Sequence, residues 1–100
     1  MTTTGVIRYL DLTEFGAITS TAISISSVVD SVPADGTVIV ITYLGDNRVK
    51  RSCVAMVVGG IFIGFTFNAA ETNRLVFDRI LVNFNTKTVS FYQVSAVRPT

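Results

Sequence analysis

The chain has 100 residues, of which 49% are apolar and 15% charged, and its formal net charge is +1. This length corresponds to one domain spanning residues 1–100. The composition excludes intrinsic disorder, which requires low hydrophobicity and high charge, and the near-neutral charge gives no electrostatic basis for binding nucleic acid. A chain of this size buries only about two-thirds of its unfolded surface, so we expect apolar area to remain for a partner.

The first part of the chain contains three predicted strands. Gly5–Leu12 opens the fold, and the N-terminus lacks the basic start and long apolar run of a signal peptide, so we expect synthesis and folding in the cytoplasm. Thr19–Ser26 alternates small polar and aliphatic residues, and Thr37–Leu44 is a continuous apolar run typical of a buried strand. Between them, Ser26–Val32 could form one helical turn that Pro33 would end.

Residues 52–70 form an uncharged segment that follows a short basic cluster. One interpretation is a small, holin-like membrane protein with a single helix over residues 53–67. As a helix this strongly apolar part would rise about 22 Å, less than the roughly 30 Å of a hydrocarbon core. Gly59 and Gly60 lie in its middle, and a glycine pair between two apolar runs indicates a tight turn. We therefore favour a β-hairpin and no membrane insertion.

The two strands predicted around this turn, Cys53–Val58 and Ile61–Phe67, are apolar on both faces. In the first strand one face carries Val54, Met56 and Val58. In the second strand one face carries Ile61, Ile63, Phe65 and Phe67, opposite Phe62, Gly64 and Thr66. A sandwich of this size can bury only one face of each sheet. We therefore expect a homo-oligomer interface to cover the other face, with cover by loops or by the N-terminal segment as the alternative.

Two further strands, Arg74–Phe84 and Thr88–Val97, complete the pattern, since both are dense in β-branched and aromatic residues. Residues 33–36, 45–47 and 85–87 are rich in turn-forming residues. Turns at this spacing are typical of a sandwich or a barrel. The predicted fold is therefore all-β, an antiparallel, jelly-roll-like β-sandwich of six or seven strands.

The residues of common catalytic and metal centres are missing. The sequence has no His, which is the usual general base for a Ser or Cys nucleophile, and Cys53 is its single cysteine. We interpret Asp11 and Glu14 as solvated charges and Cys53 as an inert buried thiol. Asp78 and Arg79 interrupt an apolar strand on opposite faces, and we expect one of them to pair with a charge on a neighbouring strand. No enzyme activity, cofactor or metal ion is expected.

A glycan site is the remaining candidate, because such sites on β-sandwiches commonly set an aromatic ring beside Asp, Asn or Arg groups. The candidate ligand-binding residues are Tyr43, Asp46, Asn47, Arg48 and Tyr92, with Tyr9 as a further candidate aromatic. For each tyrosine the alternative is a partly buried strand residue whose hydroxyl reaches the rim.

Residues 80–97, ILVNFNTKTVSFYQVSAV, resemble the terminal hairpin of small β-domains in bacteriophage tail-fibre and baseplate appendages. Residues 19–41, TSTAISISSVVDSVPADGTVIVI, are similar to those domains in having a polar-alternating strand, a short turn and an apolar strand. The resemblance implies a β-sandwich located in a virion, a homo-oligomer that is often trimeric, contacts with other virion proteins, and recognition of a cell-surface polysaccharide of the host. A capsid decoration protein or another small virion subunit is the alternative setting.

Overall fold

The computed structural model describes residues 7–45 and 48–97, which form seven strands and one short 3-10 helix, Thr13–Phe15. The strands are β1 (Ile7–Asp11), β2 (Ile23–Ser24), β3 (Val38–Leu44), β4 (Lys50–Met56), β5 (Ile61–Ala70), β6 (Arg74–Asn83) and β7 (Thr88–Val97). They make a three-stranded sheet in the order β1-β3-β4 and a four-stranded sheet in the order β2-β7-β6-β5. The predicted all-β sandwich is confirmed, with seven strands.

One strand pair in the described part of the chain is parallel and the others are antiparallel. Strand β1 runs parallel to β3, with Ile7 opposite Val38 and Asp11 opposite Thr42. A parallel pair needs a long crossover connection, and the connection here includes β2, which belongs to the opposite sheet. The first third of the chain therefore contributes to both sheets.

The predicted strand Thr19–Ser26 is reduced to two residues, and the chain passes from one sheet to the other immediately before it. The Ile18 amide donates to Leu44 O at 3.0 Å in the three-stranded sheet, and Thr19 O accepts from the Phe91 amide at 2.8 Å in the four-stranded sheet. The segment then meets β7 again only at Ile23–Ser24, so its contacts with that strand do not form one continuous ladder. The helical turn expected after it is a single turn, closed by the Val29 amide on Ile25 O at 3.1 Å.

The glycine pair reverses the chain as predicted. Gly59 and Gly60 have φ of +62° and +76°, the positive values that a type I′ turn requires at both central positions. Val58 and Ile61 on either side form a β-bridge. The expected hairpin within one sheet is wrong, however, because β4 pairs with β3 and β5 pairs with β6. The turn instead carries the chain from one sheet to the other.

The membrane-helix interpretation of residues 53–67 is also overturned, because this segment contains parts of β4 and β5 with the turn between them. Among the described residues, no helix has the length and apolarity to span a bilayer.

The core lies between the sheets and is built from the inward-facing residues of both. Its most deeply buried members, all below 2% exposure, include Leu12, Ile25, Ile41, Tyr43, Val57, Phe62, Ile80, Val82 and Val89. At Gly64 the sheets approach so closely that an added Cβ would lie 2.6 Å from Cys53 Sγ. Glycine is therefore required on the inner face of β5 at this point.

Candidate functional site

The outer face of the four-stranded sheet carries a row of exposed apolar side chains. On β5, Ile63, Phe65 and Phe67 are 42%, 55% and 49% exposed. The strand register places further apolar residues of β6 and β7 beside them. We call this surface the β5–β7 face and define it by Ile63, Phe65, Phe67, Phe77, Arg79, Leu81, Tyr92 and Val94.

An aromatic and cationic row crosses the middle of the β5–β7 face. Phe65 is paired with Arg79, which is paired with Tyr92 on the next strand. Arg79 Cζ lies 5.7 Å from the centroid of the Tyr92 ring, within the range of a cation–π interaction. One step along the strands, Phe67 and Phe77 meet edge to face, with ring centroids 5.7 Å apart. Among the eight residues of the face, Arg79 alone carries a charge.

The large residues Ile63, Phe65 and Phe67 of β5 face outward because other residues of this strand occupy its inward-facing positions and make contacts there. Phe62 is fully buried, and Gly64 fits against Cys53. Thr66 accepts a hydrogen bond from the Tyr43 hydroxyl at 3.0 Å. Side chains alternate along a strand. With these three residues facing inward, Ile63, Phe65 and Phe67 must therefore face outward.

The outer face of the three-stranded sheet is also apolar, but a side chain of the same sheet covers part of it. Val54 and Met56 are exposed on β4. On β1, the Tyr9 hydroxyl lies 2.6 Å from Thr42 Oγ1, which in turn lies 3.0 Å from Ser52 Oγ. Thr42 is only 1% exposed although it points outward, so the Tyr9 side chain covers part of β3.

A buried polar group joins the two sheets on the inner side. Asp78 on β6 is fully buried, and its Oδ2 lies 3.3 Å from Arg51 Nε on β4, while its Oδ1 accepts from Asn68 Nδ2 at 2.7 Å. The expectation that Asp78 or Arg79 pairs with a charge is confirmed, although the partner belongs to the opposite sheet. The described residues contain no group of acidic or Cys side chains that could hold a metal ion.

Burial explains the chemistry of the neighbouring Cys53 and Tyr43. Desolvation raises the pKa of the Cys53 thiol to about 11, so the thiol stays protonated and poorly nucleophilic near neutral pH. Burial likewise raises the pKa of the Tyr43 phenol, and the hydrogen bond to Thr66 partly offsets this effect. These groups have the environment of structural core residues.

The residues predicted to bind a ligand are not brought together. Tyr43 is fully buried, and its ring lies 6.3 Å from that of Phe91, so it offers no face to a sugar. Asp46 and Asn47 lie outside the described residues, and Arg48 is exposed with φ of +60°. Tyr92 lies on the β5–β7 face, on the opposite side of its sheet from Tyr43.

Sequence reasoning missed Arg79 as the neighbour of Tyr92. The relevant signal was present, since Arg79 is the one outward-facing charge in an otherwise apolar strand, but its partner depends on the register between β6 and β7.

Beside Tyr92, an open cleft of about 330 Å³ is lined by Ile18, Thr19, Ser20, Phe91, Tyr92 and Gln93. Hydroxyl, amide and aromatic groups thus occur together at this edge of the β5–β7 face.

Comparisons with protein-family models, with curated proteins and with solved structures give no match to this chain. Its class rests on its architecture, a seven-stranded β-sandwich with exposed apolar side chains on the outer faces of both sheets.

Proposed function

We propose that this chain is a non-enzymatic structural subunit that associates with copies of itself. The observation that supports this proposal is the exposure of large apolar side chains on both outer faces, including Phe65 and Phe67 on one sheet and Val54 and Met56 on the other. Soluble monomers rarely expose contiguous apolar patches larger than a few hundred Å², and larger patches mark association. Covering such a face with an identical subunit removes it from water without a second gene product.

A bacteriophage particle is the proposed location of this subunit. The support is the resemblance of residues 80–97 and 19–41 to the small β-domains of tail-fibre and baseplate appendages. In such a particle the chain would contact other virion proteins as well as its own copies, and a trimer is the number that the resemblance favours. A structural role of this kind uses rigid surfaces and requires no catalytic group.

The test is the mass of the protein in solution. Size-exclusion chromatography with multi-angle light scattering, at low and at high micromolar concentration, should give a multiple of the 10.8 kDa chain mass. A strict monomer over this range would refute self-association. Detection of the chain in purified particles by mass spectrometry would test the location separately.

Recognition of a host-surface glycan is a second proposed function, an alternative use of the β5–β7 face that depends on an uncovered Tyr92. This ring is 40% exposed and lies beside the cleft that Thr19, Ser20 and Gln93 line. An aromatic ring next to hydroxyl and amide groups is a suitable surface for a sugar. Binding of host polysaccharide should be lost in Tyr92→Ala and kept in Tyr9→Ala, which removes an exposed tyrosine from the other sheet. Equal binding by both variants would reject this site.

A further inference from the structure

We infer that the β5–β7 face packs against the same face of a second copy of this chain. The inference rests on the proposed self-association and adds to it the surface that forms the contact, which is two-fold and therefore makes a dimer in place of the trimer that the resemblance favours. It is drawn from the extent of the face, its lack of opposite charges, and the contrast with the outer face of the other sheet.

The size of the β5–β7 face matches what a stable interface needs. Its three strands have ten residues each, which at about 3.3 Å per residue and 4.8 Å between strands covers roughly 33 Å by 14 Å. Ile63, Phe65, Phe67 and Tyr92 are each 40–55% exposed, so together they present on the order of 350 Å² if a whole side chain presents about 200 Å². Their half-buried neighbours bring this to roughly 500 Å² per copy, or about 1,000 Å² for two copies, the minimum expected of a biological interface.

The chemistry of the face favours an apolar occupant over a charged one. The single charge of this face, on Arg79, is already directed at the Tyr92 ring, and the polar residue Ser90 on β7 is buried. A nucleic acid or an acidic peptide would find one cation to pair with, and a polysaccharide would find few hydrogen-bonding groups at the centre. A second β5–β7 face offers the matching surface of Phe, Ile and Leu side chains. Rigid aromatic residues with one Arg are also the composition of interface hot spots.

The outer face of the three-stranded sheet is a poorer candidate. The Tyr9 hydroxyl, Thr42 and Ser52 form a line of hydrogen-bonded polar groups across its middle. Asp11 and Lys50 lie at one end of this face; hydrogen bonds from Thr13 lower the pKa of Asp11, and the nearby ammonium group of Lys50 lowers it further. Burial of this face would have to desolvate those groups, whereas burial of the β5–β7 face mainly removes hydrocarbon from water.

The experiment compares two glutamate substitutions that differ only in the face they modify. Phe65→Glu places a carboxylate at the centre of the β5–β7 face, and Val54→Glu places one on the three-stranded sheet, where the side chain is exposed to a similar degree. We expect Phe65→Glu to weaken self-association by roughly a hundredfold or more, as for other central aromatic anchors, and Val54→Glu to leave it near wild type. Sedimentation velocity over a concentration series measures both.

Folding is checked by circular dichroism and thermal unfolding, and Phe65→Thr provides a milder second variant that keeps strand propensity. It too should shift the protein toward monomer. If the wild type associates, Val54→Glu dissociates it and both Phe65 variants leave it intact, the β5–β7 interface is wrong while self-association stands. If the wild type is monomeric at every concentration, the proposed function itself fails.

Discussion

Arg51 on β4 and Asp78 on β6 form an ion pair across the two sheets, with 3.3 Å between Nε and Oδ2. Asp78 is fully buried, and its second oxygen is held by Asn68. Gly45 leaves space for this arrangement, since a Cβ there would lie 3.4 Å from Arg51 Cδ and Nε. The pair therefore links the sheets at one defined position, at which a buried carboxylate depends on a single cation.

Removal of the buried carboxylate should destabilise the fold. Asp78→Ala leaves the Asn68 amide without its acceptor and the Arg51 guanidinium without its counter-ion, and breaking a buried pair costs about 3 kcal/mol of unfolding free energy. Glu71→Ala is the matched control, because the Glu71–Arg74 pair is exposed and spans 2.9 Å on one hairpin; exposed pairs contribute about 0–1 kcal/mol. Urea unfolding measures both variants.

The double variant Arg51→Met with Asp78→Leu should regain part of the loss, because an apolar replacement of the ion pair leaves only the Asn68 amide without its acceptor. Equal unfolding free energies for Asp78→Ala and Glu71→Ala would show that the buried pair stabilises the fold no more than the exposed pair does.

The contact between Gly64 and Cys53 should make Gly64→Ala destabilising. The new Cβ would lie 2.6 Å from Cys53 Sγ and 2.8 Å from Phe62 Cε1, so the sheets would have to separate locally. Overpacking of this kind costs about 1–3 kcal/mol. Cys53→Ala combined with Gly64→Ala should recover part of the loss, and a double-mutant cycle by chemical denaturation measures the coupling. Strict additivity of the two substitutions would contradict the proposed clash.

The two turn glycines should respond differently to substitution. A Cβ on Gly59 meets no atom within 4 Å, whereas a Cβ on Gly60 would lie 2.6 Å from Asn85 Nδ2. Both residues have positive φ, which Asn tolerates better than most residues. Gly59→Asn should therefore change the unfolding free energy by less than about 1 kcal/mol, and Gly60→Asn should cost more. Thermal unfolding of the pair tests this order, and the reverse order would contradict the turn geometry.

The raised pKa of Cys53 predicts a specific loss of stability at alkaline pH. The folded protein holds the thiol proton more tightly than the unfolded chain, since the pKa rises from 9.0 to about 11 on burial. The contribution is fully present below pH 9 and is lost as the pH rises through about 11. Relative to Cys53→Ala, the wild type should therefore lose stability across this interval in urea titrations. Parallel pH profiles for the two proteins would show that Cys53 does not contribute.

The strands that could be predicted from the sequence are those with a clear period or a long apolar run. The predicted strand Thr37–Leu44 covers the observed β3, Ile61–Phe67 lies within β5, and the glycine pair marks the reversal between β4 and β5. Thr19–Ser26 has the same local signals, yet only Ile23–Ser24 pairs with β7 in a ladder, and Thr19 contacts that strand through a separate hydrogen bond from the Phe91 amide. Local propensity does not contain this information.

The candidate site could be predicted only in part. Exposure of a second apolar face follows from the composition of β4 and β5, and Tyr92 lies on such a face. The structure does not bring Tyr43 and Tyr92 together, because the alternation of a strand does not say which of its faces points inward. Tyr43 instead points into the core, where its hydroxyl finds Thr66.

The sequence by itself determined that this chain forms β-structure and that its central strands are apolar on both faces, since a period of two and a glycine pair are local properties. Only the tertiary structure decided which face points inward and which strands pair. Those choices depend on contacts between residues distant in the chain, such as Cys53 against Gly64 and Arg51 with Asp78. The alternation of a strand defines two faces, and packing against the opposite sheet selects between them.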